Sequence, residues 1–137
     1  MFREDFVWGV ASSAYQVEGT DAADGRGACV WDMFAADGRV FEHQNAGTSC
    51  DHMHHYKEDI ALMKHLGIRA YRFSLNWARI LPEGTGRVNE KAIAMYRDMI
   101  LTMKENGITP YLTLFHWEFP QALYELSLIH ISEPTRH

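Results

Sequence analysis

Two stretches of the chain carry the same helical rhythm of apolar residues. Met53, Tyr56, Ile60 and Met63 step by 3, 4 and 3, and Ile93, Tyr96, Ile100 and Met103 do the same, the spacing of one buried helix face. The first helix is expected to start at a Thr48 or Ser49 cap with Asp51 in its first turn, where the helix dipole favours an anion. The second starts at Asn89, a good N-cap. Each runs out at a glycine, Gly67 or Gly107, the residue type that closes helices in a left-handed turn. Each glycine is followed by an isoleucine that opens a period-2 run, Ile68–Leu75 and Ile108–Phe115, which reads as a strand. In the first run Tyr71, Phe73 and Leu75 share one side, and Ala70, Arg72 and Ser74 the other.

An earlier run, Phe6 to Val17, mixes aromatic, β-branched and small residues like a buried strand followed by a turn. Between Gly19 and Gly47 the chain is glycine-rich and polar, with one apolar island at Val30-Trp31-Asp32-Met33-Phe34. So long a stretch without its own periodicity reads as a functional loop, ordered by Trp31 and Phe34. Strands alternating with amphipathic helices predict an α/β protein with a parallel sheet, open or closed into a barrel. Three strands and two helices leave the first and third strands with unpaired edges, and the chain reads as a cut piece of something larger.

Composition adds exclusions. The 137 residues are 47% apolar and 23% charged, ordinary for one globular domain. Thirteen basic against 18 acidic groups give a formal charge of -5, which speaks against a nucleic-acid surface. No run is long and apolar enough to span a bilayer, and Met1-Phe2-Arg3-Glu4-Asp5 leads into no secretion-signal core. The expected compartment is the cytoplasm, with no membrane or nucleic-acid partner. Cys29 and Cys50 make no disulfide framework and are expected as free thiols.

Polar residues at strand C-terminal ends are the candidates for chemistry, since barrel active sites lie there. Arg72, on a strand expected to be buried, must be paired, either as a structural ion pair or as support for a catalytic carboxylate. His116 and Trp117 suit a sugar, the imidazole bonding hydroxyls and the indole stacking on a pyranose face; such a pair also occurs as ordinary packing. Gln16 donates and accepts at once, which fits a vicinal diol, though isolated glutamines are common in turns. Cys50, His52, His54 and His55 cluster, but their faces diverge and match no zinc spacing, so no metal site is expected. No phosphate-binding glycine fingerprint and no nucleophile elbow is present.

Together the segments Phe6–Gly19 (FVWGVASSAYQVEG), Val30–Phe34, Asp51 with His54–Ile60, Tyr71–Ser74 with Trp77, Arg79–Pro82, Leu114–Glu118 and Gln121–Glu125 resemble, in order, the motifs of glycoside hydrolase family 1, the β-glucosidase family. The resemblance implies that residues 1–125 are the N-terminal part of a (β/α)8 TIM barrel, a fold that takes roughly 250 residues. It also implies hydrolysis of β-glycosides with retention, no metal or organic cofactor, and a small-molecule β-glycoside as partner. Gln16, His116 and Trp117 then match sugar-binding positions. Arg72 matches the arginine that holds the nucleophilic glutamate ionised. Glu118 stands where the family usually has Asp, and His55 where an arginine is common.

A retaining glycosidase needs two carboxyl groups about 5 Å apart. In this family they follow the fourth and seventh strands, in Asn-Glu-Pro and Glu-Asn-Gly contexts, so this chain is expected to hold no catalytic pair and to be inactive alone. A 6-phospho-β-glycosidase of the same family and a non-catalytic truncated product are the alternatives. Residues 126–137 resemble translated sequencing-adapter read-through and are expected to be a non-homologous, artefactual tail. Its Glu133-Pro134, a few residues past the third strand with no intervening helix expected, imitates an acid/base context by coincidence.

Overall fold

In a computed structural model, residues 2–20 and 22–131 are described; Glu133-Pro134 lies outside them. Three short strands, β1 (Gly9–Ala11), β2 (Ala70–Ser74) and β3 (Thr109–Thr113), form one parallel sheet with β2 in the centre. Arg72 pairs in register with Ala11 on one side and Tyr111 on the other. Among the described residues β1 and β3 have free outer edges, as the alternation of strands and helices predicts.

The two long helices are α3 (His52–His65) and α5 (Glu90–Glu105). Both lie on the sheet face that carries Tyr71 and Phe73. Met53, Ile60, Tyr71, Phe73, Tyr96, Met99, Met103 and Ile108 make the core between them. Gly67 and Gly107 take the predicted left-handed conformation, with φ of 75° and 73°. Asn89 caps α5 as expected, its side chain accepting from the Ala92 N–H.

Three local expectations are corrected. The cap of α3 is Asp51, itself left-handed at φ 51°. Its carboxylate bonds His54 Nδ1 at 2.6 Å and does not bind the backbone. The buried face of α5 is turned toward Ala92, Tyr96, Met99 and Met103, which leaves Ile93 exposed. Alanine and two flexible methionines occupy this face in place of the more apolar Ile93, so hydrophobicity alone does not mark it. The strand in Phe6–Val17 is only three residues long and exposed, because β1 is an edge strand; the segment ends in a short helix, α1 (Ala14–Val17).

Helices are also more numerous than two. The island in the glycine-rich stretch is α2 (Val30–Ala36), Trp77–Ile80 forms α4, and α6 covers Gln121–Ile131. A helix therefore does lie between β3 and Glu133, and it runs from Gln121 past Glu125 to Ile131. Capping explains α2: the Cys29 side chain and Asp32 reciprocally satisfy each other's backbone N–H groups, which stabilises a helix too short to show periodicity.

A buried polar cluster fastens the end of α1 to the core. Arg79, 2% exposed, donates from Nε to Glu18 Oε2 at 3.1 Å, from Nη1 to Asp24 Oδ2 at 3.4 Å and from Nη2 to the Gly19 carbonyl at 3.1 Å. The Tyr96 hydroxyl donates to Glu18 Oε1 at 2.7 Å and accepts from the Asn76 N–H at 3.0 Å. Burial pushes the Glu18 carboxyl up from its ordinary value, opposed by Arg79 and Tyr96. Both charges are thus surrounded by partners, the condition under which a buried ion pair is tolerated.

Candidate functional site

Strand direction decides where the site can be. All three strands run in parallel, so their C-terminal ends lie together, and the segments leaving them carry α1, α4 and the His116–Glu118 turn. A cavity of about 470 Å³ opens there, lined by Tyr15, Gln16, Trp31, Phe41, His116 and Trp117 among others. The structure therefore brings together three of the four residues singled out from sequence. Gln16 and Trp117 are exposed and His116 is half-buried.

Arg72, the fourth, stands apart from the cavity wall. It is exposed, on the sheet face opposite the helices, so the expected burial is corrected. Strand alternation explains this: Tyr71 and Phe73 take the packed face, leaving Arg72 on the open one. Its Nε donates to Thr113 Oγ1 at 3.3 Å and its Nη2 to His116 Nδ1 at 3.4 Å. It thus braces the imidazole from behind.

Backbone groups around the cavity are held from several directions. The Ala14 N–H donates to Ser74 Oγ at 2.7 Å and the Tyr15 N–H to Glu118 Oε1 at 2.9 Å, while the Ser49 hydroxyl donates to the Gln16 carbonyl. Trp117 adopts φ 77°, uncommon for a bulky residue. The Phe119 N–H donates to its carbonyl at 2.8 Å, and Val30 N–H in turn to the Phe119 carbonyl at 2.9 Å. Burial raises the Glu118 carboxyl from its ordinary value, against the lowering pull of the Tyr15 N–H.

Sequence reasoning missed the far wall of the cavity, built by Trp31 from α2 and by Phe41, Gln44 and Asn45. The unusual length of the Gly19–Gly47 stretch was the available signal. Glu105-Asn106-Gly107 has the letters of the family's second glutamate context but not its place in the fold. Glu105 ends α5 and is exposed. Gly107 then turns the chain into the start of β3, so this carboxylate lies at the opposite end of the strand from His116.

The histidine cluster divides among carboxylates. His52 Nδ1 contacts Asp59 at 2.6 Å, His54 contacts Asp51, and His55 Nδ1 contacts Glu58 at 2.9 Å. Among the described residues no group of three or more such side chains is placed to hold a metal ion. None of their helices is long and apolar enough to cross a membrane. Both cysteines are free, Cys29 buried and Cys50 exposed.

A parallel β/α sheet with an aromatic and polar cavity at its strand ends defines an α/β protein with its site at the C-terminal edge of the sheet. Residues 1–127 match glycosyl hydrolase family 1, and the chain belongs to that family. It is 49% identical over 123 residues to β-glucosidase A of Thermotoga maritima, covering 89% of this chain and 28% of that one. The β-glucosidase A of Acetivibrio thermocellus is 46% identical over 125 residues, covering 90% and 28%. An aryl-phospho-β-D-glucosidase of Bacillus subtilis is 46% identical over 125 residues, covering 90% and 26%. The solved family 1 β-glucosidase of Thermotoga maritima superposes with a TM-score of 0.87 at 47% identity, over 92% of this chain and 29% of that one; it has also been solved in complex with glucoimidazole. The fold is thus a portion of a (β/α)8 barrel, and the chain spans 28% of the length of the first of these relatives.

Proposed function

We propose that residues 1–125 are the N-terminal part of a retaining β-glucosidase, contributing one wall of the pocket for the terminal sugar. The observation that carries this reading is the convergence of Gln16, His116 and Trp117 on one cavity at the strand ends. Gln16 and His116 bond hydroxyls there, and Trp117 stacks on the pyranose. Arg72, through its open sheet face, holds the nucleophilic glutamate ionised and oriented. Both catalytic carboxyl groups come from later strands, so the 137-residue chain alone is a non-catalytic product. No metal or organic cofactor takes part, and the enzyme works in the cytoplasm. Residues 126–137 are an artefactual tail, a reading supported by a family match that stops at residue 127, close to the start of that segment.

The Bacillus subtilis relative favours a second reading, a 6-phospho-β-glycosidase. Assay of the full-length gene product on an aryl β-glucoside and on its 6-phosphate separates the two. Hydrolysis of the free glucoside supports the first reading, and hydrolysis of the phosphate alone supports the second. Turnover by the 137-residue chain itself that disappears in Glu133→Gln contradicts both the truncated-product reading and the assignment of the tail.

A further inference from the structure

Glu118 is the most enclosed carboxyl group at the cavity, with 1% of its surface exposed. Its Oε1 accepts the Tyr15 N–H at 2.9 Å, across 103 positions of sequence. That N–H is one of the donors a helix start leaves without an internal partner. The N-cap of α1, Ser13, supplies no side-chain bond of its own. Instead Ser74, at the end of β2, takes the Ala14 N–H, and Glu118, beyond β3, takes that of Tyr15.

We infer that Glu118 is a positioning residue that locks the turn carrying Gln16 to the turn carrying His116 and Trp117. This deepens the sugar-pocket reading above and rests on it. The chain around Glu118 is tied down by backbone hydrogen bonds on its C-terminal side. The bond between Phe119 N–H and the Trp117 carbonyl precedes two further links, Val30 N–H to the Phe119 carbonyl and Gln121 N–H to the Ala28 carbonyl, each 2.9 Å. Cys29 and Pro120 form a β-bridge between them. A side chain anchored this way transmits its position to whatever its far end binds, here the residue before Gln16.

The lock works by shape and acceptor geometry, without a need for charge. Glu118 Oε2 is buried with no hydrogen-bond partner among the described residues, a poor setting for a carboxylate. Burial correspondingly favours the protonated acid. A glutamine presents the same accepting oxygen on the same length of side chain, so it is the conservative replacement.

Amide hydrogen exchange on the full 137-residue chain tests the lock. Glu118→Ala is expected to speed exchange at Tyr15 at least about tenfold while β2 stays protected, and Glu118→Gln to hold Tyr15 within about twofold of the parent. Unchanged Tyr15 exchange in Glu118→Ala overturns the inference. Where Glu118→Ala loses protection throughout β2 as well, Glu118→Gln decides: retained Tyr15 protection sustains the lock, and loss at Tyr15 with β2 intact overturns it. The catalytic arm joins residues 1–125 to the remaining barrel of the Thermotoga maritima relative and measures an aryl β-glucoside. There Glu118→Ala is expected to raise KM about tenfold with kcat less affected, and Glu118→Gln to restore it. An unchanged KM in Gln16→Ala defeats the sugar-pocket reading and leaves the lock standing. Fast Tyr15 exchange without a KM change in Glu118→Ala, while Gln16→Ala does raise KM, overturns the positioning role alone.

Discussion

Arg72 donates from Nη2 to His116 Nδ1 at 3.4 Å, a long bond that nevertheless fixes which imidazole nitrogen accepts. Because a guanidinium only donates, Nδ1 must present its lone pair and the neutral ring carries its proton on Nε2. His116 therefore offers an N–H donor from its other nitrogen. Nitrogen-15 NMR is expected to show the Nε2–H tautomer of His116 in the parent and a mixture in Arg72→Ala. A tautomer ratio indifferent to Arg72 contradicts the brace.

Gly27 and Gly67 are glycines for different reasons, and substitutions separate them. A Cβ on Gly27 falls 2.1 Å from the Pro82 carbonyl oxygen, whereas one on Gly67 meets nothing within 4 Å and only the left-handed φ of 75° opposes it. Gly67→Ala should cost about 1–2 kcal/mol, and Gly67→Asn less, since Asn tolerates that conformation. Gly27→Ala should cost about 1–3 kcal/mol, and Gly27→Asn more. Urea unfolding checks the two orders, and a recovery by Asn at position 27 counts against the contact.

Both long helices and the order of the strands were legible because α3 and α5 each bury one stripe and end on a glycine. The exposure of Arg72 was not: residue type in a strand does not reveal which face stays open, and only the position of α3 and α5 relative to β2 decides it. For the site, Gln16, His116 and Trp117 could be named from motif and strand-end position. The wall made by Trp31 and Phe41 could not, since α2 is shorter than two helical periods and its folding depends on the Cys29–Asp32 box. The lock at Glu118 joins residues far apart in sequence, and no local pattern marks such a pairing.

Removing one member of the Glu18–Arg79 pair should be costlier than removing both charges. Arg79→Met strands Glu18, 4% exposed, with only Tyr96 for a partner, at a cost of about 3–5 kcal/mol. Glu18→Gln combined with Arg79→Met should recover a large part of that loss. Denaturant titration of the two single variants and the double variant gives the coupling, and strictly additive losses contradict the pairing.

Glu118 also gives stability a pH dependence of known sign. Its native carboxyl value lies above the ordinary 4.5 because of burial. A group raised in this way contributes its stability in full below the unfolded value and loses it as pH climbs through the native value. Glu118→Gln should match the parent near about pH 4 and become the more stable of the two toward about pH 8. Urea midpoints across that range test it, and a constant offset at all pH values argues against a proton on Glu118.

Central to the account is a sugar wall supplied by this chain to carboxylates supplied by later strands. Its most direct test is kcat/KM for an aryl β-glucoside in the barrel that joins residues 1–125 to the rest of the Thermotoga maritima relative. Each lost hydroxyl bond is worth about 1–3 kcal/mol, so Gln16→Ala and His116→Ala should each lower kcat/KM about 10–100-fold. Values within about twofold of the parent for both variants would contradict the placement of the sugar on this wall.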